Sequence, residues 1–194
     1  MKICVLASGG GTNFQAIIDN VKSGYLDKVE IAGLISSGKN AYALKRAEEN
    51  NIPCAVVSKK LFPGEKFESE LLSQIQRFNP DYIVLAGWLV ILSEDFVKRF
   101  PKRIINIHPS LIPSFCGDGF YGLKVHEAAL KYGVKVTGAT VHFVNEVCDG
   151  GEIILQKASY VREGDTPEIL QRRVMEECEW KILPEALKIL SEKK

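Results

Sequence analysis

The chain has 194 residues and a net charge of +1, from 25 Lys and Arg against 24 Asp and Glu. This length suits one domain, expected to span residues 1–194, and folding should remove about 70% of the unfolded chain's surface from water. The composition, 46% hydrophobic and 25% charged, argues against disorder, collagen and coiled coils. The balanced charge gives no indication of a nucleic-acid partner.

The sequence also argues against a membrane protein, a disulfide-stabilised protein and a metal-binding protein. The longest apolar run, residues 82–92, is far shorter than the ~20 residues that span a bilayer, and the N-terminus lacks the pattern of a signal peptide. Five scattered cysteines without a CxxC pair are typical of reduced thiols rather than of a disulfide framework or zinc site. We therefore expect a cytoplasmic protein with no membrane partner and no metal.

The first part of the chain alternates between apolar runs and amphipathic stretches. The apolar runs predict strands at 2–7, 29–36, 54–57, 81–86 and 104–107. The amphipathic stretches predict helices from about 14 to 21, at 41–50 and at 66–78. Such alternation is typical of a parallel sheet with helices on both faces. Right-handed crossovers then give a doubly wound, Rossmann-like half over about residues 1–110.

The second half, about residues 111–194, continues the pattern differently. A helix is predicted at 122–131, and alternating stretches at 137–144 and 152–161 predict an added antiparallel β pair. A closing helix begins at Pro167, capped by Thr166, and Pro184 should kink or interrupt it. The prediction is a single α/β domain with a mostly parallel, mixed sheet.

The segment SGGGTN, residues 8–13, lies between the first strand and the first helix. Backbone N–H groups of such a turn can converge on an anion at the positive end of the helix, and Thr12 and Asn13 add side-chain donors. No Lys follows, the GxGxxG spacing is absent, and the second strand ends in Ser36 and Ser37 rather than an acid. A phosphate monoester therefore fits better than NAD, although a tight turn without a ligand has the same signature.

Two polar side chains lie at the carboxyl end of the fifth strand. Asn106 and His108 project from one face of it, and Pro109 ends it. Ligands of open α/β sheets bind just beyond such strand ends. An amide beside an imidazole suits the oxyanion of an acyl-transfer reaction. The plainer alternative is a histidine that satisfies a loop carbonyl.

A carboxylate follows the predicted strand 137–144. Asp149 lies in a glycine-containing loop, where it could orient the ring of His108 and favour its charged form; a solvated Asp-Gly turn is the alternative. His142 is expected to be a half-buried structural residue and His126 to lie at a helix surface. Three histidines spaced this widely do not indicate a metal site.

Four segments together resemble the phosphoribosylglycinamide formyltransferases, the folate-dependent enzymes of purine synthesis. They are ASGGGTN at 7–13, AGWLVIL at 86–92, NIHPSLIPSF at 106–115 and GATVHFVNEVCDGGEII at 138–154. HPSLIP marks the wider formyltransferase superfamily, and the glycine segment narrows the resemblance to the glycinamide enzymes. The similarity covers nearly the whole chain.

The resemblance implies a phosphate site, a folate site and a catalytic set. The residues for the ribonucleotide substrate are Gly11, Thr12 and Asn13 at its phosphate, with Glu179 at its glycinamide end. The residues for the pterin of 10-formyltetrahydrofolate are Leu89, Val90, Ile91, Leu92 and Asn106. The catalytic residues are Asn106, His108 and Asp149. The implied partners are these two small molecules, and the chain would be a monomer or homodimer.

The implied reaction is direct attack of the glycinamide amine on the formyl carbon, since no Ser or Cys in these motifs suggests an acyl-enzyme. Asn106 and protonated His108 would stabilise the oxyanion, and Asp149 would keep His108 charged. Two alternatives remain open at this point. One is a relative that hydrolyses formyltetrahydrofolate or formylates a sugar amine or aminoacyl-tRNA, and the other is a non-catalytic nucleotide-binding module.

Three positions depart from the family pattern. Gly64 stands where the family often has a basic residue near the folate, and Cys148 stands where an aliphatic residue is usual. The segment FCGDGFYG at 115–122 is longer than the shortest versions of this loop. It is a candidate for closing over the site.

Overall fold

A computed structural model describes residues 1–193. The strands are β1 (Lys2–Ala7), β2 (Glu30–Ser36), β3 (Cys54–Val56), β4 (Tyr82–Leu85), β5 (Ile104–His108), β6 (Val136–Phe143) and β7 (Ile153–Tyr160). The helices are α1 (Thr12–Lys22), α2 (Tyr42–Glu49), α3 (Lys66–Phe78), α4 (Glu94–Lys98), α5 (Leu123–Tyr132), α6 (Pro167–Val174) and α7 (Trp180–Glu192). A π-helical segment, Met175–Glu179, joins the last two helices.

The strands form one sheet in the order β3-β2-β1-β4-β5-β6-β7. The first five strands along the chain pair in parallel, whereas β6 and β7 are antiparallel additions. The predicted fold class, a doubly wound and mostly parallel sheet with an antiparallel C-terminal pair, is confirmed. The order reverses between β1 and β4, which puts a topological switch point beside the glycine segment.

Helices cover both faces of the sheet. The apolar sides of α1, α2, α6 and α7 pack on one face, and those of α3 and α4 pack on the other. The strands β1 and β4 lie between these layers and are buried on both sides. This double burial explains why their sequences are nearly continuous apolar runs.

Two features of the helices were not predicted correctly. The short helix α4 was missed, although Ser93 caps it by accepting the Phe96 N–H at 3.1 Å. Pro184 does not interrupt the last helix, because it lies inside α7. The ring of a proline clashes with the carbonyl four residues earlier, which is that of Trp180, at the junction with the wider π-helical turn. The irregularity therefore lies upstream of the proline rather than at it.

Within residues 1–193, no helix is long and apolar enough to cross a membrane. Over the same residues, no three His, Cys, Asp or Glu side chains are grouped so that they could hold a metal ion. All five cysteines are free thiols.

Candidate active site

The glycine segment forms the turn between β1 and α1, and Gly11 is required there. Its φ of +68° lies in the left-handed region, which residues with a side chain resist. A Cβ atom on Gly11 would also lie 2.7 Å from Cβ of Ala43 in α2. Backbone conformation and close packing of α2 thus independently demand glycine at this position.

The carbonyl groups of Gly9 and Gly10 in the glycine turn point toward α2. The Gly9 carbonyl accepts the N–H of Ala43 at 3.1 Å, and the Gly10 carbonyl accepts Nε of Arg46 at 2.8 Å. Across a trans peptide the next N–H points opposite to the carbonyl. The N–H groups of Gly10 and Gly11 therefore point away from α2, beside the positive end of α1, in the arrangement that binds anions.

The side chain of Asn13 is hydrogen-bonded within the protein. Its Nδ2 donates to Glu179 Oε2 at 2.6 Å, and Thr12 Oγ1 lies 3.9 Å from Met175 Sδ. The amide of Asn13 thus ties the turn to the π-helical segment, and its expected contact with a phosphate stays a prediction. The backbone N–H groups at the start of α1 have no partner within the helix and can bind an anion.

Glu179 ends the π-helical segment and is only 6% exposed. Burial raises the pKa of its carboxyl from 4.5 to about 7, and the hydrogen bond from Asn13 opposes this rise. Glu179 is therefore not a solvated charge on the surface of a helix. The structure places Glu179 against Asn13 of the glycine turn, and its contact with the glycinamide end of the substrate stays a prediction.

Asn106 and His108 project from one face at the carboxyl end of β5, as predicted. The antiparallel register sets His142 opposite Asn106 and Thr140 opposite His108. Asn106 is half-buried and His108 is 4% exposed. Both side chains are therefore held by the sheet rather than by a loop.

Asp149 joins these residues through both carboxylate oxygens. Oδ2 accepts the N–H of Gly117 at 2.9 Å and lies 3.4 Å from Nδ1 of His108. Oδ1 lies 3.4 Å from Nδ2 of Asn106 and 3.5 Å from Nε2 of His142. Burial alone would raise the pKa of Asp149, but the bond with His142 and the other partners lower it overall. The carboxyl is therefore ionised at neutral pH.

The ring of His108 faces oxygen atoms on both sides. Nδ1 faces Asp149, and Nε2 lies 2.9 Å from the carbonyl oxygen of Phe115. Burial lowers the pKa of His108 below 6.5, although the Asp149 carboxylate and the Phe115 carbonyl act in the opposite direction. Burial outweighs the carboxylate at rest and favours the neutral ring, and the charging of His108 by Asp149 during a reaction stays a prediction.

The expected folate wall follows β4 along an extended segment. Side chains alternate there: Leu89 is 61% and Ile91 is 73% exposed, whereas Val90 and Leu92 pack against the core beneath α3 and α4. The N–H of Leu89 donates to Ser8 Oγ at 2.9 Å. This bond fixes the wall beside the glycine turn, and its exposed apolar surface fits a flat ring such as a pterin.

Two histidines behave differently from their predictions. His142 is 1% exposed and contacts Asn106 and Asp149, so it belongs to the cluster; its position opposite Asn106 in an antiparallel pair was the available signal. His126 was expected at the surface but is fully buried in α5 among residues such as Val125. Burial lowers its pKa to about 4, so it stays uncharged.

Comparisons with known proteins were consistent across sequence and structure. The formyl transferase family profile matches residues 1–187. The chain is 40% identical to phosphoribosylglycinamide formyltransferase of Haemophilus influenzae over 98% of this chain and 87% of that protein. It is 40% identical to the chloroplastic enzyme of the same name from Arabidopsis thaliana, over 91% of this chain and 61% of that protein.

Longer proteins also contain a similar region. The chain is 41% identical to part of the human trifunctional purine biosynthetic protein adenosine-3, of which it spans 18%. Among solved structures, glycinamide ribonucleotide transformylase 1 from Symbiobacterium toebii superposes with a TM-score of 0.92 at 40% identity, over 100% of this chain and 88% of that one. The chain belongs to the formyl transferase family.

Proposed function

We propose that the chain transfers the formyl group of 10-formyltetrahydrofolate to the primary amine of N1-(5-phospho-D-ribosyl)glycinamide. The products are the N-formyl ribonucleotide and tetrahydrofolate, a step of de novo purine (IMP) biosynthesis. The observation that carries this proposal is the meeting of Asn106 and His108 at the carboxylate of Asp149. The names of the relatives, several of which are phosphoribosylglycinamide formyltransferases, support the choice of acceptor.

The substrates would lie along one edge of the sheet. The phosphate binds the N–H groups of the glycine turn, with Gly11, Thr12 and Asn13 at the start of α1. Glu179 lies at the glycinamide end. The folate lies against the wall formed by residues 89–92, with Asn106 at its inner end. Because β6 pairs with β5 and so continues the sheet of the first half, we infer that both halves act as one domain.

The amine attacks the formyl carbon directly, a C–N bond forms, and the bond from that carbon to the folate nitrogen then breaks. Asn106 and His108 donate to the oxyanion that forms between these events. Their 3.4 Å separations from Asp149 are long for hydrogen bonds to a carboxylate. The amide of Asn106 can therefore turn to a substrate oxygen with little loss of stability, whereas His108 would reach that oxygen through Nε2.

Proton transfer follows from the charges at the site. His108 favours the neutral form at rest, and negative charge on the nearby formyl oxygen raises its pKa as the reaction proceeds. Ionised Asp149 is the base that takes a proton from the attacking amine through water, and that proton ends on the folate nitrogen. Nε2 of His108 contacts the substrate only after the Phe115 carbonyl moves aside.

The test is an absorbance assay with purified protein, 10-formyltetrahydrofolate and the ribonucleotide. We expect tetrahydrofolate to form in step with the formylated ribonucleotide. A parallel reaction without the ribonucleotide measures hydrolysis, and one with a sugar amine tests another acceptor. Release of formate without the ribonucleotide, or turnover only with another amine, would contradict the proposal.

A further inference from the structure

A side chain outside the glycine turn holds that turn in place. Arg46, in α2, donates from Nε to the Gly10 carbonyl at 2.8 Å and from Nη1 to Oε1 of Gln15 in α1 at 2.9 Å. Its guanidinium carbon lies 4.9 Å from the centroid of the Tyr42 ring. Within residues 1–193, it is the only basic side chain that hydrogen-bonds to residues 8–13.

The turn depends on such contacts because its glycines have no side chains that could pack. A Cβ atom on Gly9 or Gly10 would meet nothing within 4 Å, and flexible glycine backbone loses much entropy on ordering. A planar guanidinium with two fixed bonds restricts the Gly10 peptide. The same peptide sets the direction of the Gly11 N–H, since the two groups are opposed across it.

Arg46 also adds a full positive charge to this side of the turn. No Lys follows the glycines, as it would in a P-loop, so the N–H groups and the partial charge of α1 otherwise face a phosphate dianion alone. A guanidinium behind the turn attracts the dianion without occupying its place. Because Arg46 lies on the carbonyl side, it acts through the turn rather than by touching the substrate.

We propose that Arg46 is a positioning residue of the phosphate site. It fixes the N–H groups of the glycine turn toward the phosphate and supplies the charge that the turn lacks. The inference rests on the proposed function for the identity of the phosphate-bearing substrate. It concerns the binding of the ribonucleotide and leaves the formyl-transfer step to other residues.

The first test compares Arg46→Gln with Lys45→Gln, the matched control from the next position of α2. Lys45 is exposed and pairs with Glu49 at 3.7 Å, away from the turn. Loss of one charge-assisted hydrogen bond weakens binding roughly tenfold. Arg46→Gln should therefore raise the KM for the ribonucleotide about tenfold, while kcat and the KM for the folate stay within about twofold of their values in the unchanged protein. Arg46→Lys, which keeps the charge, should raise this KM less than Arg46→Gln does. Lys45→Gln should have the same KM as the unchanged protein.

A substrate without the phosphate separates positioning from general damage. The glycinamide riboside should give the same KM with Arg46→Gln as with the unchanged protein. An equal loss for riboside and ribonucleotide would overturn the proposal, as would an unchanged ribonucleotide KM. If Arg46→Gln does not fold, the same comparison is made with Arg46→Lys, whose smaller defect must again be confined to the phosphorylated substrate.

A binding measurement does not require catalysis. Titration with inorganic phosphate, followed by the amide NMR signals of Gly10, Gly11 and Thr12, should show about tenfold weaker affinity in Arg46→Gln. Equal affinity in both proteins would overturn the inference. Arg46-dependent phosphate binding in a protein that transfers no formyl group would instead contradict only the proposed function.

Discussion

Glu179 offers a prediction whose size follows from the structure. Its carboxyl is buried and accepts the Nδ2 of Asn13, and its pKa is raised from 4.5 to about 7. Glu179→Gln keeps an oxygen for Asn13 but removes the ionisable group. The substitution should therefore stabilise the folded protein in alkaline solution. The family resemblance assigns this position to substrate binding.

The sign follows from proton uptake in the two states. Between pH 4.5 and about 7, the unfolded chain has released the Glu179 proton while the folded protein still holds it. The free energy of unfolding therefore falls as the pH rises through this window. The difference of 2.5 pH units (7 − 4.5), at about 1.36 kcal/mol per unit, amounts to roughly 3 kcal/mol at pH 8.

Thermal unfolding of both proteins at pH 4.5 and pH 8 measures this difference. Glu179→Gln should match the unchanged protein at pH 4.5 and exceed its Tm by roughly 6–12 °C at pH 8. Glu176→Gln, at an exposed position of the same π-helical segment, is the control and should shift Tm little at either pH. An equal Tm for Glu179→Gln and the unchanged protein at pH 8 would refute the burial argument.

Two further substitutions test the site. Asp149→Asn removes the negative charge that opposes the effect of burial on the pKa of His108. The pKa of His108, measured by NMR, should therefore fall further, and kcat should drop by about 10²-fold or more. An unchanged pKa of His108 would contradict the contact between the two side chains. Gly11→Ala should lower the free energy of unfolding by about 1–3 kcal/mol, because of the positive φ and the 2.7 Å approach to Ala43. Gly9→Ala, with open space around its Cβ, is the control, and an equal loss of stability in both variants would contradict the packing argument.

The sheet could be predicted from the sequence because its strands are buried on both faces. The strand 2–7 and the helix 66–78 have the predicted bounds. The helix α4 was missed because five residues are too few to show a helical period. The continuation of α7 through Pro184 was missed because it depends on the π-helical turn just upstream.

The placement of Asn106 and His108 could also be predicted, because they lie in a motif at the end of a strand. Asn106 and His108 lie on one face of a strand by simple alternation. The contacts of Asp149 with the Gly117 N–H, 32 residues away, could not be predicted, because two loops must fold against each other to make them. The charge state of His108 at rest could not be predicted, because the sequence shows a carboxylate in a nearby motif but not the degree of burial.

The side of a helix that is buried is harder to predict when another helix covers it. His126 lies in a pattern that equally fits a surface position, yet its ring is fully buried in α5, which packs against α6. His142 is a similar case, since the strand pattern predicted only half-burial and the side chain is 1% exposed. In both cases an element from another part of the chain packs against the one that carries the histidine, α6 against α5 and β5 against β6.

The central claim is that Asn106 and His108 act together on one oxyanion. The most direct test measures kcat for formyl transfer in Asn106→Ala, His108→Ala and the double variant, with folding checked by circular dichroism. Each single change should lower kcat by about 10²–10³-fold, and the double change should lower it by less than the product of the two, because the donors share one charge. Turnover near that of the unchanged protein in His108→Ala, or strictly multiplicative losses, would contradict the claim.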